Sequence, residues 1–364
     1  MKYQVSMPDL TGNEKKYLNE CIDTNWVGSN GPMVTKFESE YAKWHGKDYH
    51  CVTTSSGTTA LELAVRALDL PRGSDIIIPT HTMIAVPNAV VRNEHIPVLV
   101  DSDIRDWNMD VRKIEREITH HTKAIIAVHT YGHLCDMEGI MKLAKKYNLK
   151  VIEDVAEAHG AEYKGQMAGT FGDVACYSFY GNKIITMGEG GACVTKDKAL
   201  ADKMSYLRAH TFTPEKHFWH RDVGFNFRIS NMQAAIGLAQ LERIDEFIEK
   251  KRQIAEWYSD GLKETGVIIA PERDGYKNVF WYNGFLVNER DMLQEALLKK
   301  GVDTRTFFIP IHDQPCYLGE FEDIYPIANY FRDNGLYLPS STLLTKEDVM
   351  DICKLFKEAI VECE

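Results

Sequence analysis

The stretch "SFYGNKIITMGEGG" (178–191) decides how this chain is interpreted, because it places a lysine where a lysine is unexpected. Lys183 follows one apolar run and precedes another that ends in glycines, which is not the ordinary setting of a surface lysine. Ser178 opens the same stretch. The glycines of "GEGG" alone indicate only a turn. The rest of the sequence must therefore explain what the amine does here.

Composition limits the classes of function. A chain of 364 residues predicts two domains, or one large domain with a small one appended. The formal net charge of −11 disfavours nucleic acid or an anionic membrane as partner, although a local pocket can still be positive. The eight cysteines are scattered without a C-x-x-C pair, which argues against a zinc site and a disulfide framework. No long apolar run or secretory leader is recognised, so a cytoplasmic location is expected.

Strand and helix patterns alternate in the first half of the chain. Short apolar runs at 74–80, 96–101, 123–129 and 150–156 predict strands. The segment 136–148, between the last two, has helical spacing of its apolar residues. This alternation predicts an α/β fold with a mostly parallel sheet covered by helices on both faces.

The pattern becomes largely helical after Gly191. A long helix is predicted to begin after a Ser230 N-cap and to continue through "EKKRQIAEWYSDGL". The last hundred residues mix strand and helix patterns, which predicts a smaller α/β domain. We place the boundary inside the long helix, with a large domain over 1–245 and a small domain over 246–364.

Two segments outside the opening stretch carry candidate site residues. In "VTTSSGTTALELAVRAL" (52–68), hydroxyl side chains and Gly57 precede a helix, whose free N–H groups can bind phosphate. An ordinary Ser/Thr N-cap would be the favoured interpretation of that segment alone. The segment "VIEDVAEAHG" (151–160) ends a predicted strand with Glu153, Asp154 and Glu157, and ligands gather at the carboxyl ends of strands in parallel sheets. Such an acid could pair with a protonated ring nitrogen, cap the strand end or bind a metal.

Lys183, a phosphate cradle and an acid together indicate one kind of chemistry. They fit a pyridoxal 5′-phosphate (PLP) enzyme, in which Lys183 carries the cofactor as a Schiff base and Asp154 pairs with its ring nitrogen. The hydroxyl of Ser178 could bind the same phosphate. No metal is expected.

The chain resembles the nucleotide-sugar aminotransferases of the DegT/DnrJ type, which are PLP enzymes of fold type I. The resemblance runs nearly end to end over ordered motifs, which are "WVGSNGPMVTKFE", "SSGTTAL", "VHTYGHLCDM", "IEDVAEAHG", "GTFGDVACYSFYGNKIITMGEGG", "GFNFRISNMQAAIGLAQLER" and "GLYLPSSTLLT". Within that family, "FYGNK" followed by "GEGG", Glu157, "FWH" (218–220) and "FFIPIH" (307–312) are most similar to GDP-perosamine synthases.

The resemblance implies roles for individual residues. Lys183 matches the lysine that carries PLP and moves the proton, and Asp154 matches the partner of the ring nitrogen. Gly57, Thr58 and Ser178 match the phosphate cradle on the same subunit.

Three further matches concern the rest of the cofactor. Asn226, in "GFNFR", matches an asparagine that reaches the phosphate from the neighbouring subunit, which implies a homodimer with shared sites. Glu157 lies where many relatives carry glutamine, close to the PLP hydroxyl. Met83 lies where relatives usually place an aromatic ring over PLP, and its thioether could pack on that ring instead.

The substrate side is implied less directly. Arg305 and His312 match positions near the sugar nucleotide, with a structural role equally open for each. His220 is a further substrate candidate, although packing between aromatic residues is the favoured interpretation for it. The resemblance implies transamination from L-glutamate to GDP-4-keto-6-deoxy-D-mannose. A UDP- or dTDP-linked keto sugar is the alternative acceptor. A PLP-dependent sugar dehydratase is disfavoured because the relatives that deoxygenate at C3 carry histidine in place of Lys183. A non-catalytic regulatory member is disfavoured by the intact set of Lys183, Asp154 and Ser178.

Overall fold

A computed structural model describes residues 1–213, 215–216, 218–319, 321 and 324–363. Its strands are β1 (His50–Thr54), β2 (Asp75–Pro79), β3 (Ile96–Val100), β4 (Thr122–Val128), β5 (Lys150–Asp154), β6 (Glu162–Tyr163), β7 (Gln166–Met167), β8 (Val174–Ser178), β9 (Gly191–Thr195), β10 (Ile268–Ile269), β11 (Tyr276–Lys277), β12 (Asn283–Leu286), β13 (Arg305–Thr306) and β14 (Gly335–Leu338). Its α-helices are α1 (Glu14–Asp23), α2 (Pro32–His45), α3 (Gly57–Ala67), α4 (Ala85–Arg92), α5 (Val111–Ile114), α6 (Met137–Tyr147), α7 (Lys198–Arg208), α8 (Asn231–Leu241), α9 (Ile244–Leu262), α10 (Arg290–Lys299), α11 (Pro326–Asn334) and α12 (Lys346–Cys363).

A seven-stranded sheet forms the centre of the molecule, in the order β1-β9-β8-β5-β4-β2-β3. The pairs from β3 to β8 are parallel, whereas β9 is antiparallel to both β8 and β1. The four strands predicted from apolar runs are β2, β3, β4 and β5, so the prediction of a mostly parallel sheet is confirmed.

Apolar side chains cover both faces of this sheet. On β2, Ile77 packs into one core cluster, while Ile76 and Ile78 pack into the other. Successive side chains of a strand point to opposite faces, so a run of three isoleucines is what a strand buried on both sides requires. The parallel strands end at one edge of the sheet, and this edge positions the site.

The prediction of one long helix after Ser230 is correct at its N-cap and wrong in its length. The N-cap is present, because the Ser230 side chain accepts from the Gln233 N–H and the Gln233 side chain accepts from the Ser230 N–H. However, the segment forms two helices, α8 and α9, with Arg243 between them at φ −120° and ψ 12°. The Arg243 guanidinium pairs with Asp9 at 3.1 Å and with Glu246 at 2.6 Å, which holds the break.

A second sheet follows α9. It is antiparallel, in the order β10-β12-β14-β13, and packs with α9, α10 and α12 around a third apolar cluster. The division of the chain at residue 245 stays a prediction, and that position falls in the first turn of α9. Tyr3 belongs to the third cluster and bridges to Val302, so the first residues of the chain pack on the later part.

Candidate functional site

A cavity of about 350 Å³ lies at the carboxyl edge of the seven-stranded sheet. It brings together seven of the residues predicted from the sequence, which are Gly57, Thr58, Met83, Asp154, Glu157, Ser178 and Lys183. The rest of its lining comes from Ser56, Leu61, Thr82, Ala85, Val128, Ala156, Tyr180, Asn182, Glu189, Trp281, Phe308 and Tyr337. Its size is that of a pocket for a small molecule.

The first turn of α3 forms one end of the cavity. Ser56 is the N-cap, and its side chain accepts from the Thr59 N–H at 3.1 Å, so the N-cap interpretation holds for this residue. A Cβ atom at Gly57 would lie 2.7 Å from the Cβ of Ser178, so a side chain there would collide with Ser178. Gly57 thus lets Ser178 approach the helix terminus, where N–H groups and the helix dipole favour an anion.

Gly191 explains part of the glycine-rich run. It pairs with Ser178 across β8 and β9, and a Cβ atom added to it would lie 2.3 Å from the Ser56 carbonyl oxygen. Because this position has no side chain, β9 can pass directly beside the start of α3. The run after Lys183 therefore shapes the end of the cavity that contains Ser178.

Lys183 follows a turn in which its N–H donates to the Tyr180 carbonyl at 3.0 Å. Its side chain is 11% exposed, and its Nζ lies 3.5 Å from Glu157 Oε1. The same Nζ lies 3.8 Å from the centroid of the Trp281 ring. Burial lowers the pKa of Lys183, and the carboxyl groups of Glu157 and Asp154 oppose that change.

Two carboxyl groups face this amine. Burial raises the pKa of Glu157 to about 7 against the opposing charge of Lys183, and its Oε2 accepts from the Tyr131 N–H at 2.9 Å. Burial also raises the pKa of Asp154, and its Oδ1 accepts from the Ala156 N–H at 3.0 Å. A cationic ring nitrogen bound beside Asp154 would favour its ionised form.

Glu153, next to Asp154 on β5, has a different environment. It is absent from the cavity lining and is fully buried. Its oxygens accept from His129 Nε2 and from the N–H groups of Gly169, Phe171 and Gly172. Of the alternatives left open for the acids of this segment, a structural role fits Glu153.

The residues of the cavity fit PLP. Thr82 Oγ1 and Asn182 Oδ1 line it and are buried without a hydrogen-bond partner in the described part of the chain. Buried polar atoms are rarely left unpaired, so these two indicate a polar ligand. The helix terminus with Ser178 suits its phosphate, Asp154 suits its ring nitrogen, and Lys183 suits its aldehyde carbon. Met83 also lines the cavity and is half exposed, and contact between its thioether and the PLP ring stays a prediction.

Asn226 and His220 do not line this cavity. Asn226 Oδ1 accepts from Arg228 Nε at 2.9 Å, so the arginine helps to order the Asn226 side chain. His220 Nδ1 lies 2.6 Å from the His210 carbonyl oxygen. Their roles toward cofactor and substrate stay predictions, and for Asn226 the predicted target is the cavity of a second chain.

Arg305 and His312 also lie outside the lining. Arg305 is on β13, where it pairs with Asp303 and lies opposite Tyr337, a lining residue. His312 is held inside the chain, with Nδ1 2.7 Å from Thr80 Oγ1 and Nε2 2.8 Å from Asn329 Oδ1. These contacts of His312 support a structural role for this residue. The guanidinium of Arg305, in contrast, is exposed to solvent and could still reach a ligand.

Sequence reasoning missed the aromatic side of the cavity. Trp281, Phe308 and Tyr337 come from the part of the chain after α9, far in sequence from Lys183. Phe308 and Tyr337 lie in the quoted motifs "FFIPIH" and "GLYLPSSTLLT", but no local pattern distinguishes Trp281 or Tyr337 from core residues. Within the described ranges, no cluster of three His, Cys, Asp or Glu side chains could hold a metal, and no helix could cross a membrane.

Comparison with known proteins gives consistent matches. The model of the DegT/DnrJ/EryC1/StrS aminotransferase family matches residues 8–357. The chain is 43% identical to GDP-perosamine synthase of Escherichia coli O157:H7, over 98% of this chain and 99% of that protein. It is 40% identical to GDP-perosamine synthase of Caulobacter vibrioides, over 99% of each. It is 36% identical to dTDP-3-amino-3,6-dideoxy-alpha-D-galactopyranose transaminase of Aneurinibacillus thermoaerophilus, over 91% of each.

A solved structure matches the fold over its full length. Helicobacter pylori PseC, an aminotransferase involved in the biosynthesis of pseudoaminic acid, superposes with a TM-score of 0.94. The two chains are 26% identical, and the match covers 100% of each.

Proposed function

The chain belongs to the DegT/DnrJ/EryC1/StrS aminotransferase family, and from that premise we propose that it transfers the amino group of L-glutamate to GDP-4-keto-6-deoxy-D-mannose, giving GDP-perosamine. It is a PLP-dependent aminotransferase. The observation that supports its site most directly is the Lys183 amine, which lies in one cavity with Asp154, Glu157 and the first turn of α3.

Bound PLP supplies an electron sink for the pair of electrons left at the substrate α-carbon. Lys183 Nζ removes the proton from that carbon in the donor half-reaction and delivers a proton to the sugar carbon in the acceptor half-reaction. Burial lowers the pKa of Lys183, so a larger fraction of its amine is the neutral base near pH 7. The carboxylate of Asp154 keeps a proton on the ring nitrogen.

Glu157 is suited to exchange a proton with Lys183. Its Oε1 lies 3.5 Å from Nζ, and burial raises its pKa to about 7. A group with a pKa near the working pH can both accept and return a proton. The first turn of α3 and the hydroxyl of Ser178 hold the phosphate and so fix the position of the cofactor.

The choice of acceptor is supported by the two GDP-perosamine synthases at 43% and 40% identity. A UDP- or dTDP-linked keto sugar is the second candidate, because the transaminase named for a dTDP sugar is 36% identical. A lysine at position 183 disfavours a sugar dehydratase, because the relatives that deoxygenate at C3 carry histidine at this position.

We further propose that the enzyme is a homodimer in which Asn226 of one chain reaches the phosphate held by the other. Asn226 is exposed and lies outside the cavity of its own chain. Large apolar side chains are also exposed on the surface, among them Trp26, Phe218 and Trp219. Exposed apolar side chains of this size are available for burial between two subunits.

The test is a panel of acceptors. The purified protein, loaded with PLP and glutamate, is given GDP-, UDP- and dTDP-linked 4-keto-6-deoxy sugars, and amino-sugar formation is followed by mass spectrometry. We expect the GDP-linked mannose derivative to have the highest kcat/KM. If a UDP or dTDP sugar were aminated and the GDP sugar were not, the acceptor assignment would fail while the aminotransferase activity stood. Lys183→Ala is the control and should abolish turnover with every acceptor.

A further inference from the structure

The Trp281 ring packs against the amine of Lys183. The Lys183 Nζ lies 3.8 Å from the centroid of this ring, and Trp281 is 3% exposed. A cation over the face of an indole at this distance is attracted to its electron-rich face, and tryptophan gives the strongest attraction of this kind. Trp281 comes from the part of the chain after α9, so tertiary folding creates this contact.

Trp281 is also held at both its edge and its backbone. Its Nε1–H donates to the Asn182 carbonyl at 2.7 Å, which ties the indole to the turn that carries Lys183. Its own carbonyl accepts from Lys251 Nζ at 2.9 Å, and Lys251 donates also to the Ser340 carbonyl at 2.5 Å. The ring therefore has one fixed position relative to the Lys183 amine.

A lysine is an unusual residue in this position, because Lys251 is buried and its side-chain hydrogen bonds in the described part of the chain go to two backbone carbonyls. Burial lowers its pKa to about 7. A neutral amine keeps two N–H groups, and two carbonyls are present to accept them. Lys251 can therefore hold the Trp281 carbonyl whether or not its amine is charged.

We propose that the Trp281 indole is the surface on which the free Lys183 amine rests, and that Lys251 is a positioning residue that fixes this surface. Whenever the amine is released from the cofactor, the ring keeps it beside Glu157. The ring attracts the charged amine more than the neutral one, so it opposes the effect of burial on Lys183.

Other groups near the amine must be considered in any pH measurement. Glu157 and Asp154 both favour its charged form. His159 is also near, and burial lowers its pKa to about 3, so it is neutral at the pH of interest. The indole differs from all three because it has no proton to exchange, so its effect on Lys183 is constant with pH.

The experiment measures how readily Lys183 reacts with an amine reagent in the full-length protein freed of PLP. The protein is treated with a trace of labelled acetic anhydride over a range of pH, and labelling of the Lys183 peptide is quantified by mass spectrometry. The midpoint of the pH profile reports the charge on the amine, whereas its plateau reports access to the reagent. Access and charge are thereby separated.

Trp281→Leu should move the midpoint to lower pH. Below the midpoint, labelling relative to the plateau should rise about fivefold, which corresponds to about 1 kcal/mol of lost cation–π attraction. Trp281→Phe keeps a weaker ring and should give an intermediate shift. Phe308→Leu is the matched control, because it removes another ring that lines the cavity, whereas among the described residues the cation–π contact of Lys183 Nζ is with Trp281. Its midpoint should equal that of the wild type.

Lys251 is tested with Lys251→Met, which keeps the length of the side chain but has no donor. We expect a shift in the same direction as with Trp281→Leu, and Lys251→Arg, which restores donors, should reverse part of it. An unchanged midpoint in both Trp281 variants would overturn the role of the ring. If Trp281→Leu failed to fold, an unchanged midpoint in Trp281→Phe would suffice. A shift with Trp281→Leu but none with Lys251→Met would overturn the role of Lys251.

This inference rests on the proposed role of Lys183, but the two can fail separately. If PLP were found on another lysine, the proposed site would fail whatever the labelling profile. If PLP were found on Lys183 and the Trp281 midpoints did not move, only the present inference would fail.

Discussion

Glu153 and Asp154 are adjacent carboxyl residues at the end of β5, yet the structure gives them opposite tasks. Asp154 lines the cavity, whereas Glu153 points away from it and accepts four hydrogen bonds. We therefore expect Glu153→Gln to reduce stability and leave the chemistry intact. Asp154→Asn should slow the reaction and leave stability nearly unchanged.

The size of the first effect follows from the four donors to Glu153, which are His129 Nε2 and the N–H groups of Gly169, Phe171 and Gly172. His129 Nδ1 accepts from the Cys135 N–H, so Nε2 carries the hydrogen. All four contacts thus bring a donor. The amide of glutamine keeps one acceptor oxygen, so about two donors would lose their partner in a fully buried site. At roughly 1.5–2.5 kcal/mol for each, the expected loss is about 3–5 kcal/mol.

Such a loss is a large part of the roughly 5–15 kcal/mol by which folded proteins are stable. It is measured by urea unfolding of the PLP-free protein, because bound cofactor would add its own stabilisation. If unfolding proves irreversible, the rate of thermal inactivation replaces the equilibrium value.

The matched variant tests the other half of the prediction. In Asp154→Asn, the amide oxygen can still accept from the Ala156 N–H, so stability should change by less than about 1 kcal/mol. The rate should fall on the order of 10²-fold or more, about 3 kcal/mol at the transition state. Folded Glu153→Gln should keep its rate within a few-fold. Equal urea midpoints for Glu153→Gln and wild type would refute this reasoning, as would an Asp154→Asn enzyme of near-normal rate.

Four further outcomes are expected. Borohydride reduction should fix the phosphopyridoxyl group on Lys183, and a peptide map that places it on another lysine would contradict the assignment. A mixture of Lys183→Ala and Asn226→Ala chains should have higher transaminase activity than either variant alone after verified subunit exchange, since a mixed dimer has one intact site. Activity no higher than that of the single variants would show that Asn226 does not belong to a shared site. Arg305→Ala should raise the acceptor KM by about tenfold and barely change the glutamate half-reaction, because guanidinium suits a pyrophosphate that glutamate lacks; equal loss in both would make Arg305 structural. Burial lowers the pKa of Lys251 to about 7, whereas a lysine in an unfolded chain has a pKa of about 10.4. Between about pH 7 and about pH 10.4 the unfolded state therefore binds more protons than the folded state. The stability of wild type relative to Lys251→Met should therefore rise with pH across that window, and a difference independent of pH would show that Lys251 is not neutralised.

The central sheet could be predicted because its strands are encoded locally. Runs such as "DIIIP" on β2 are apolar on successive residues, as a strand covered on both faces requires. The break between α8 and α9 could not be predicted in this way. Helical spacing continues through "LERID", whereas Arg243 at the break pairs with Asp9, which lies 234 positions away along the chain.

The site residues also differ in whether local sequence or tertiary contacts identify them. Lys183, Ser178 and Gly57 belong to short motifs, and the structure places them on one cavity. The segment "VIEDVAEAHG" taken alone does not say which of Glu153 and Asp154 faces the site, because that depends on the phase of β5, and the assignment of Asp154 comes from the other motifs. His312 was equally open, and its contacts with Thr80 and Asn329 arise only from tertiary folding.

Trp281 was not accessible to sequence reasoning, since the hydrogen bond that ties it to Asn182 joins residues 99 positions apart. Its chemistry nevertheless suits the place. The cavity already holds the amine of Lys183 and the carboxyl groups of Glu157 and Asp154, all desolvated. Another charged side chain would add its own cost of burial and would titrate together with the others. An indole attracts the charged amine without either consequence, so the ring fixes where that amine lies and adds no titrating group to the cavity.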